Sequence, residues 1–111
     1  RKASAHAPIT AERHFSVNML ARDQTELAVR FSGRAGLEGE ERFDEATWST
    51  LVTGAPILKG AIASLDCEVI EFRDMSTHSV FIGRVVGGTS SETADPLLYF
   101  RGEFWDLVRR G

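Results

Sequence analysis

At 111 residues with 42% apolar side chains, the chain has the size and composition of a single domain, residues 1–111, around one hydrophobic core. Its net charge of -3, with acids and bases interspersed, leaves no basic stripe to neutralise a phosphate backbone, so nucleic acid is not an expected partner. No apolar run approaches the roughly 18 residues of a membrane span and no signal segment opens the chain, so no membrane partner is expected and the expectation is a soluble, cytoplasmic protein.

The single cysteine, Cys67, has no second thiol for a disulfide or a shared metal, in keeping with a reducing compartment. The chain opens at Arg1 without an initiator Met, as a processed fragment or a piece of a longer polypeptide would. Residues 3–13 are compatible with a short helix capped by Ser4 and confined by Pro8 to a start near it. Residues 14–20 alternate, with Phe15, Val17 and Met19 on one face and Ser16 and Asn18 on the other, as a half-buried strand does. Residues 23–31 place Leu27, Ala28 and Phe31 at helical spacing, with Gly33 at the expected stop.

From 32 to 54 the pattern breaks into scattered glycines, a charged run and the isolated aromatics Phe43 and Trp48, which predicts a surface excursion tucked back onto the body. Residues 61–73 give the clearest strand, with Ala63, Leu65, Cys67 and Val69 on one face and Ser64, Asp66 and Glu68 on the other. A polar turn at 74–77 leads to a second long strand at 78–86, the two pairing as a hairpin. Residues 87–95 read as a loop and 96–101 as a third strand. The sum is all-β with short helices, an antiparallel domain closed or partly closed as a barrel.

Cys/His metal spacing, a G-x-S-x-G elbow and a GxxxxGK phosphate loop are all missing from the sequence, which argues against hydrolysis and metal chemistry. Lys2, Ser4 and His6 precede a helix start, where free N–H groups and the helix dipole favour an anion, although on spacing alone a solvated chain end with a capping serine is the better account of them. Arg30 and Phe31 close a helix, as a second anion contact with an inward ring or as a plain dipole-complementing arginine. His78 opens a strand after a turn, either projecting from a barrel rim toward a charged cofactor or simply exposed. Tyr99, Phe100, Arg101 and Gly102 join two aromatics, a cation and a glycine that lets backbone approach a ligand; they suit a planar dinucleotide, or a core edge.

Taken together, several segments resemble the short-chain flavin reductase family, the reductase components of two-component flavin monooxygenases. Residues 15–20 (FSVNML) with the trailing Asp23-Gln24 look like the family's F-x-V-N-x-L strand and its Gln, and Arg30-Phe31-Ser32-Gly33 looks like its R-F-x-G. The run GAPILKGAIASLDC at 54–67 is similar to G-x-P-x-L-x-G-x-x-A-x-L-x-C, the most specific match; residues 78–83 and 96–102 resemble H-x-x-x-x-G and P-L-x-Y-x-R-G. The likeness runs through the whole chain in the family's order. Glu40-Glu41-Arg42-Phe43 and residues 60–65 look most like the branch of 4-hydroxyphenylacetate 3-monooxygenase reductases, and a branch serving pyrimidine breakdown is almost as similar.

The resemblance implies an FMN-binding split β-barrel of Greek-key type, a homodimer with flavin sites near the subunit interface. The implied activity is transfer of hydride from NADH or NADPH to FMN or FAD, with reduced flavin released to an oxygenase. Carried over, Lys2, Ser4, Ala5 and His6 match the segment holding the flavin phosphate and ribityl chain, and Arg30 and Phe31 a further flavin contact. His78 matches the histidine near the nicotinamide, which makes it the catalytic candidate, and Tyr99, Phe100, Arg101 and Gly102 match the strand end meeting the dinucleotide. Ser76-Thr77 stand where the family commonly has Gly-Asp before its histidine. The family's N-terminal strands, which cradle the isoalloxazine ring, have no counterpart in this sequence; a polypeptide without them would bind flavin weakly and leave the barrel with open edges. The competing reading is a non-catalytic flavin- or heme-binding split-barrel module.

Overall fold

The structure is a computed structural model that describes residues 11–31 and 47–111. Lys2, Ser4, Ala5 and His6, most of the helix expected at 3–13 and most of the excursion expected after residue 32 lie outside the described residues. The three long segments expected as strands form an antiparallel sheet in the order β1-β4-β5, built from β1 (His14–Met19), β4 (Ala63–Asp74) and β5 (Ser79–Ser90). Among the described residues between β1 and β4 are a helix, α1 (Thr25–Phe31), and two short paired strands, β2 (Trp48–Ser49) and β3 (Ile57–Leu58). A hairpin, β6 (Leu98–Phe100) with β7 (Glu103–Trp105), follows β5. The described part is thus mostly β with one short helix, and its three sheets stay separate, without barrel closure.

The strands expected at 61–73 and 78–86 are present, and β4 is covered on both of the faces that alternation separates: Cys67 and Val69 are buried on the apolar face, and Ser64 and Asp66, on the polar one, have no exposed surface at all. In β1, Val17 and Met19 are 41% and 45% exposed. The register accounts for the buried polar face: Ser16 pairs with Asp66 and Asn18 with Ser64, so four polar side chains share one face of the sheet. Residues 51–58 cross that face as a strap, and its backbone groups need partners once covered. Ser16 Oγ donates to the Pro56 carbonyl at 2.5 Å, Asn18 Oδ1 accepts from the Leu58 N–H at 2.9 Å, and Ser64 Oγ donates to the same Asn18 oxygen at 2.7 Å. Around this polar seam lie the buried apolar residues Ala55, Ile57, Leu58, Cys67 and Val69.

Strand β5 also runs four residues beyond the expected end, through Gly87, Gly88, Thr89 and Ser90, which the sequence placed in a loop. The glycines are there for space. A Cβ on Gly87 would come within 3.1 Å of Val52 in the crossing strap, and one on Gly88 within 3.0 Å of the Ser64 carbonyl. The strand expected at 96–101 shortens to Leu98–Phe100, because Arg101 (φ 54°) and Gly102 (φ 80°) form the tight turn into β7, which the sequence reading did not expect. Positive φ at both central residues is the mark of a type I′ hairpin.

Helix α1 is tied in at its start by Gln24. The side chain of Gln24 accepts from the Ala21 N–H at 2.8 Å and donates to the Lys59 carbonyl at 3.0 Å, bridging the helix entry to the turn between β3 and β4. That turn has Gly60 at φ 82°, where any side chain would be strained and would crowd Gln24. Gln24→Ala is expected to lower stability by about 1–2 kcal/mol, the value of two hydrogen bonds that are partly open to solvent. Urea unfolding checks this, and a variant within error of the parent would contradict it.

Candidate functional site

Helix α1 lies over the strap and β1 so that Leu27 and Phe31, four residues apart, face inward. Phe31 meets Trp48 edge to face, with centroids 5.6 Å apart. Beneath the pair is a cavity of about 380 Å³ walled by Leu20, Leu27, Phe31, Trp48, Pro56 and Leu58, with Ser16 and Asn18 on its floor. The volume is within the range of small-molecule sites. The floor polar groups are engaged with the strap, so the cavity presents apolar and aromatic surface to whatever enters it. Half-buried Arg30 precedes Phe31 in the last turn of the helix. Flat apolar and aromatic walls suit part of a flavin ring, and Arg30 is not among the residues that line them. The donors assigned to its phosphate and ribityl chain, Lys2, Ser4, Ala5 and His6, are outside the described residues.

The strap itself is latched by Asp66. One carboxylate oxygen accepts from the N–H groups of Val52 and Thr53 at 2.7 and 2.9 Å, and the other accepts from the Thr53 hydroxyl at 2.5 Å. The Thr53 oxygen in turn accepts from the Ala55 N–H at 3.1 Å. Burial works to raise the carboxyl's proton affinity, but the bonds from Thr53 and Val52, with a smaller contribution from His14, hold it below the ordinary range. Burial, and then the neighbouring Asp66 charge, push the Cys67 thiol up, so it is an unreactive buried group.

His78 is exposed and sits in the turn joining β4 to β5. Its Nδ1 is 2.7 Å from the Thr77 hydroxyl, so Thr77 orients the ring at the position where the family commonly has an aspartate. The turn is closed by the Ser79 hydroxyl donating to Asp74 at 2.6 Å and by the Met75 N–H donating to the His78 carbonyl at 2.6 Å.

Tyr99, Phe100, Arg101 and Gly102 form one side and the tip of the β6–β7 hairpin, all exposed. The Arg101 guanidinium lies over the Phe100 ring at 4.9 Å, Tyr99 packs edge to face on Phe104 at 5.1 Å, and Trp105 Nε1 donates to the Phe100 carbonyl at 2.9 Å. Gly102 adopts a φ of 80°, which calls for glycine whatever approaches it, and a Cβ there would meet no protein atom.

The candidate residues do not all converge within one chain. The Leu97 N–H bonds the Leu20 carbonyl and Ala21 bridges Pro96, which anchors the hairpin beside Met19, Ala63 and Ser90. His78 lies at the opposite end of the β4–β5 ribbon, past Asp74 and Ser79. At about 3.3 Å per residue, the four steps from Leu97 to Arg101 reach far less than the ribbon's length. Trp48, Pro56 and the Asp66–Thr53 pair were not singled out from the sequence as site residues. The available signal was the G-x-P-x-L run, whose polar neighbours in β1 and β4 mark the face the strap crosses. Among the described residues, no group of three or more His, Cys, Asp and Glu side chains is placed to hold a metal, and no helix is long and apolar enough to cross a membrane.

The mostly β fold is that of solved flavin reductases, the split barrel. BorF, the flavin reductase component of a bacterial two-component tryptophan halogenase, superposes with a TM-score of 0.85 at 31% identity, over 98% of this chain and 69% of that one. Residues 1–107 match the flavin reductase like domain, and the chain belongs to that family. It is 39% identical to the FMN reductase (NADH) RutF of Stutzerimonas stutzeri (strain A1501), over 96% of this chain and 60% of that protein. It is 33% identical to the 4-hydroxyphenylacetate 3-monooxygenase reductase component of Klebsiella oxytoca, over 83% of this chain and 54% of that protein. The chain thus spans somewhat over half the length of these curated relatives.

Proposed function

We propose that the chain is part of an NADH- or NADPH-dependent flavin reductase that supplies reduced FMN or FAD to a partner monooxygenase. The observation that carries this reading is the match of residues 1–107 to the flavin reductase like domain, together with relatives named as NADH-dependent FMN reductases and as a monooxygenase reductase component. The reaction consumes NAD(P)H, flavin and a proton, and gives NAD(P)+ and reduced flavin. Bound flavin supplies the hydride-accepting ring, while the chain's own residues bind, orient and exclude water. In this reading Arg30 and Phe31 hold flavin with Lys2, Ser4, Ala5 and His6. His78, Tyr99, Phe100, Arg101 and Gly102 hold the nicotinamide dinucleotide, and no side chain acts as nucleophile or general base.

A homodimer belongs to the same proposal. With His78 and Arg101 anchored at opposite ends of one ribbon, a second copy offers a way to bring one chain's histidine toward the other's hairpin. A soluble enzyme of the cytoplasm is the matching setting.

The test is to add FMN and NADH to the protein in air and follow the nicotinamide absorbance. A reductase consumes NADH catalytically, whereas a carrier turns yellow and leaves NADH intact. Arg101→Asn separates charge from turn geometry, because asparagine tolerates the left-handed conformation that Arg101 adopts. The expected result is a KM for NADH raised about tenfold with an unchanged melting temperature, the loss of roughly one charge-assisted contact. An unchanged KM would remove Arg101 from the nucleotide site.

A further inference from the structure

Only one buried carboxylate among the described residues has no exposed surface, and the proposed chemistry does not use it. Burying a carboxylate is costly unless its lone pairs are filled. Asp66 fills them entirely from one short segment: two backbone N–H groups and one hydroxyl, all from Val52 and Thr53. An apolar pair at this point would serve a stable sheet as well, so what the buried carboxylate adds, beyond the stability lost when it is removed, is the geometry that its three accepted bonds fix.

The geometry it fixes is that of the strap. Thr53 carries the restraint to Ala55, the Pro56 carbonyl is caught by Ser16, and the Leu58 N–H by Asn18. Gly87, directly opposite Asp66 in the sheet, has no side chain, and this lets Val52 lie close against β5. The strap then supplies Pro56 and Leu58 as one wall of the cavity below Phe31, and β3 pairs Leu58 with Trp48, which supplies another. Moving the strap therefore moves two walls of the cavity together, while β4 and β5 keep their own ladder.

We infer that Asp66, acting through Thr53, is a positioning residue for flavin: it holds the strap in the one register that shapes the cavity under Phe31 and Trp48. This deepens the flavin reductase reading and rests on it. Asp66 touches no substrate in this scheme.

The test uses the full chain and three variants, Asp66→Asn, Thr53→Ala and Thr53→Ser. The readouts are FMN affinity from quenching of flavin fluorescence, flavin KM against kcat, and amide exchange at Val52 and Thr53. A residue that only stabilises the fold lowers the amount of active protein, and so apparent kcat, but leaves the affinity of the remaining folded molecules alone. A positioning residue moves affinity. The expected result for Asp66→Asn is FMN binding weakened about tenfold and flavin KM raised in step, with kcat changed less than about twofold and exchange faster at Val52 and Thr53 but not in the outer β4–β5 ribbon. Thr53→Ala should shift the same way by a smaller factor, and Thr53→Ser, which keeps the hydroxyl, should restore parental affinity. Parental FMN affinity in Asp66→Asn, beside a wild-type chain that binds FMN, overturns the inference alone. A wild-type chain that takes up no FMN overturns the flavin reading and the inference with it.

Discussion

Asp66→Ala is expected to cost about 2–4 kcal/mol of folding stability near neutral pH, because it strips the acceptor from two backbone N–H groups and a hydroxyl at once. The figure stays below the sum of three fully buried losses, since Val52 is 64% exposed and water can reach its N–H once the strap loosens. The effect depends on pH with a definite sign. The Asp66 carboxyl titrates below the 3.8 of an ordinary aspartate, so the unfolded chain takes up this proton before the folded one does. Its stabilising contribution is complete above the unfolded value and is lost as pH falls through the folded one. Urea unfolding of parent and variant, near neutrality and again in acid below the ordinary carboxylate range, should show the gap between them closing in acid. A gap that stays constant would mean that the charge of Asp66 is not what holds the strap.

The sheet was legible because alternation is a local property. Residues 14–20 and 61–73 carry it in the sequence, while 78–86 is apolar on both faces except at Arg84 and is marked as a strand by the turn before it; β1, β4 and β5 follow within a few residues at each end. Alternation says that faces differ, though, and not which face is covered. Ser16, Asn18, Ser64 and Asp66 look like a solvent face until a strap crosses them with carbonyls and N–H groups that require partners. The crossing is a tertiary event set by residues far away in the chain, so polarity alone does not reveal it. Gly87 and Gly88 misled for a related reason: in composition they read as loop, whereas in the structure they are strand residues kept small by Val52 and the Ser64 carbonyl.

The site divides along the same line. Phe31 was found from a short motif and does face a cavity, because helical spacing puts it on the same side as Leu27. Its partners Trp48 and Pro56 come from the strap and from β2, whose position no periodicity encodes. At the hairpin, the glycine of P-L-x-Y-x-R-G was visible, but its reason is the left-handed turn shared with Arg101, a requirement that appears only when Phe100 is seen to pair with Glu103. Thr77 beside His78 was visible as a departure from the family pattern. Its role as the ring's hydrogen-bond partner needed the turn geometry.

Gly83→Val is expected to be the most damaging single change to the sheet. Gly83 closes the H-x-x-x-x-G segment, pairs with Val69 across the β4–β5 ladder, and lies under the ring of Phe15 from β1. A Cβ placed there would come within 2.6 Å of Phe15 Cζ, 2.9 Å of its Cε2 and 3.1 Å of Cys67 Cβ, the first two distances shorter than real Cβ contacts adopt. The half-buried Phe15 ring can swing partly aside, so Gly83→Ala should cost about 1–3 kcal/mol, in the range of ordinary overpacking. Valine adds two methyl groups against Cys67 Cβ, which sits on a paired strand and cannot move away, so about 3 kcal/mol or more is expected. The mechanism has a signature that mere loss of a glycine lacks. If the clash with Phe15 is the cause, Phe15→Leu combined with Gly83→Ala should be more stable than the sum of the two single costs allows, by about 0.5–3 kcal/mol. Thermal or urea unfolding of the four proteins closes the cycle, and strict additivity would show that the ring over Gly83 is not what excludes a side chain there.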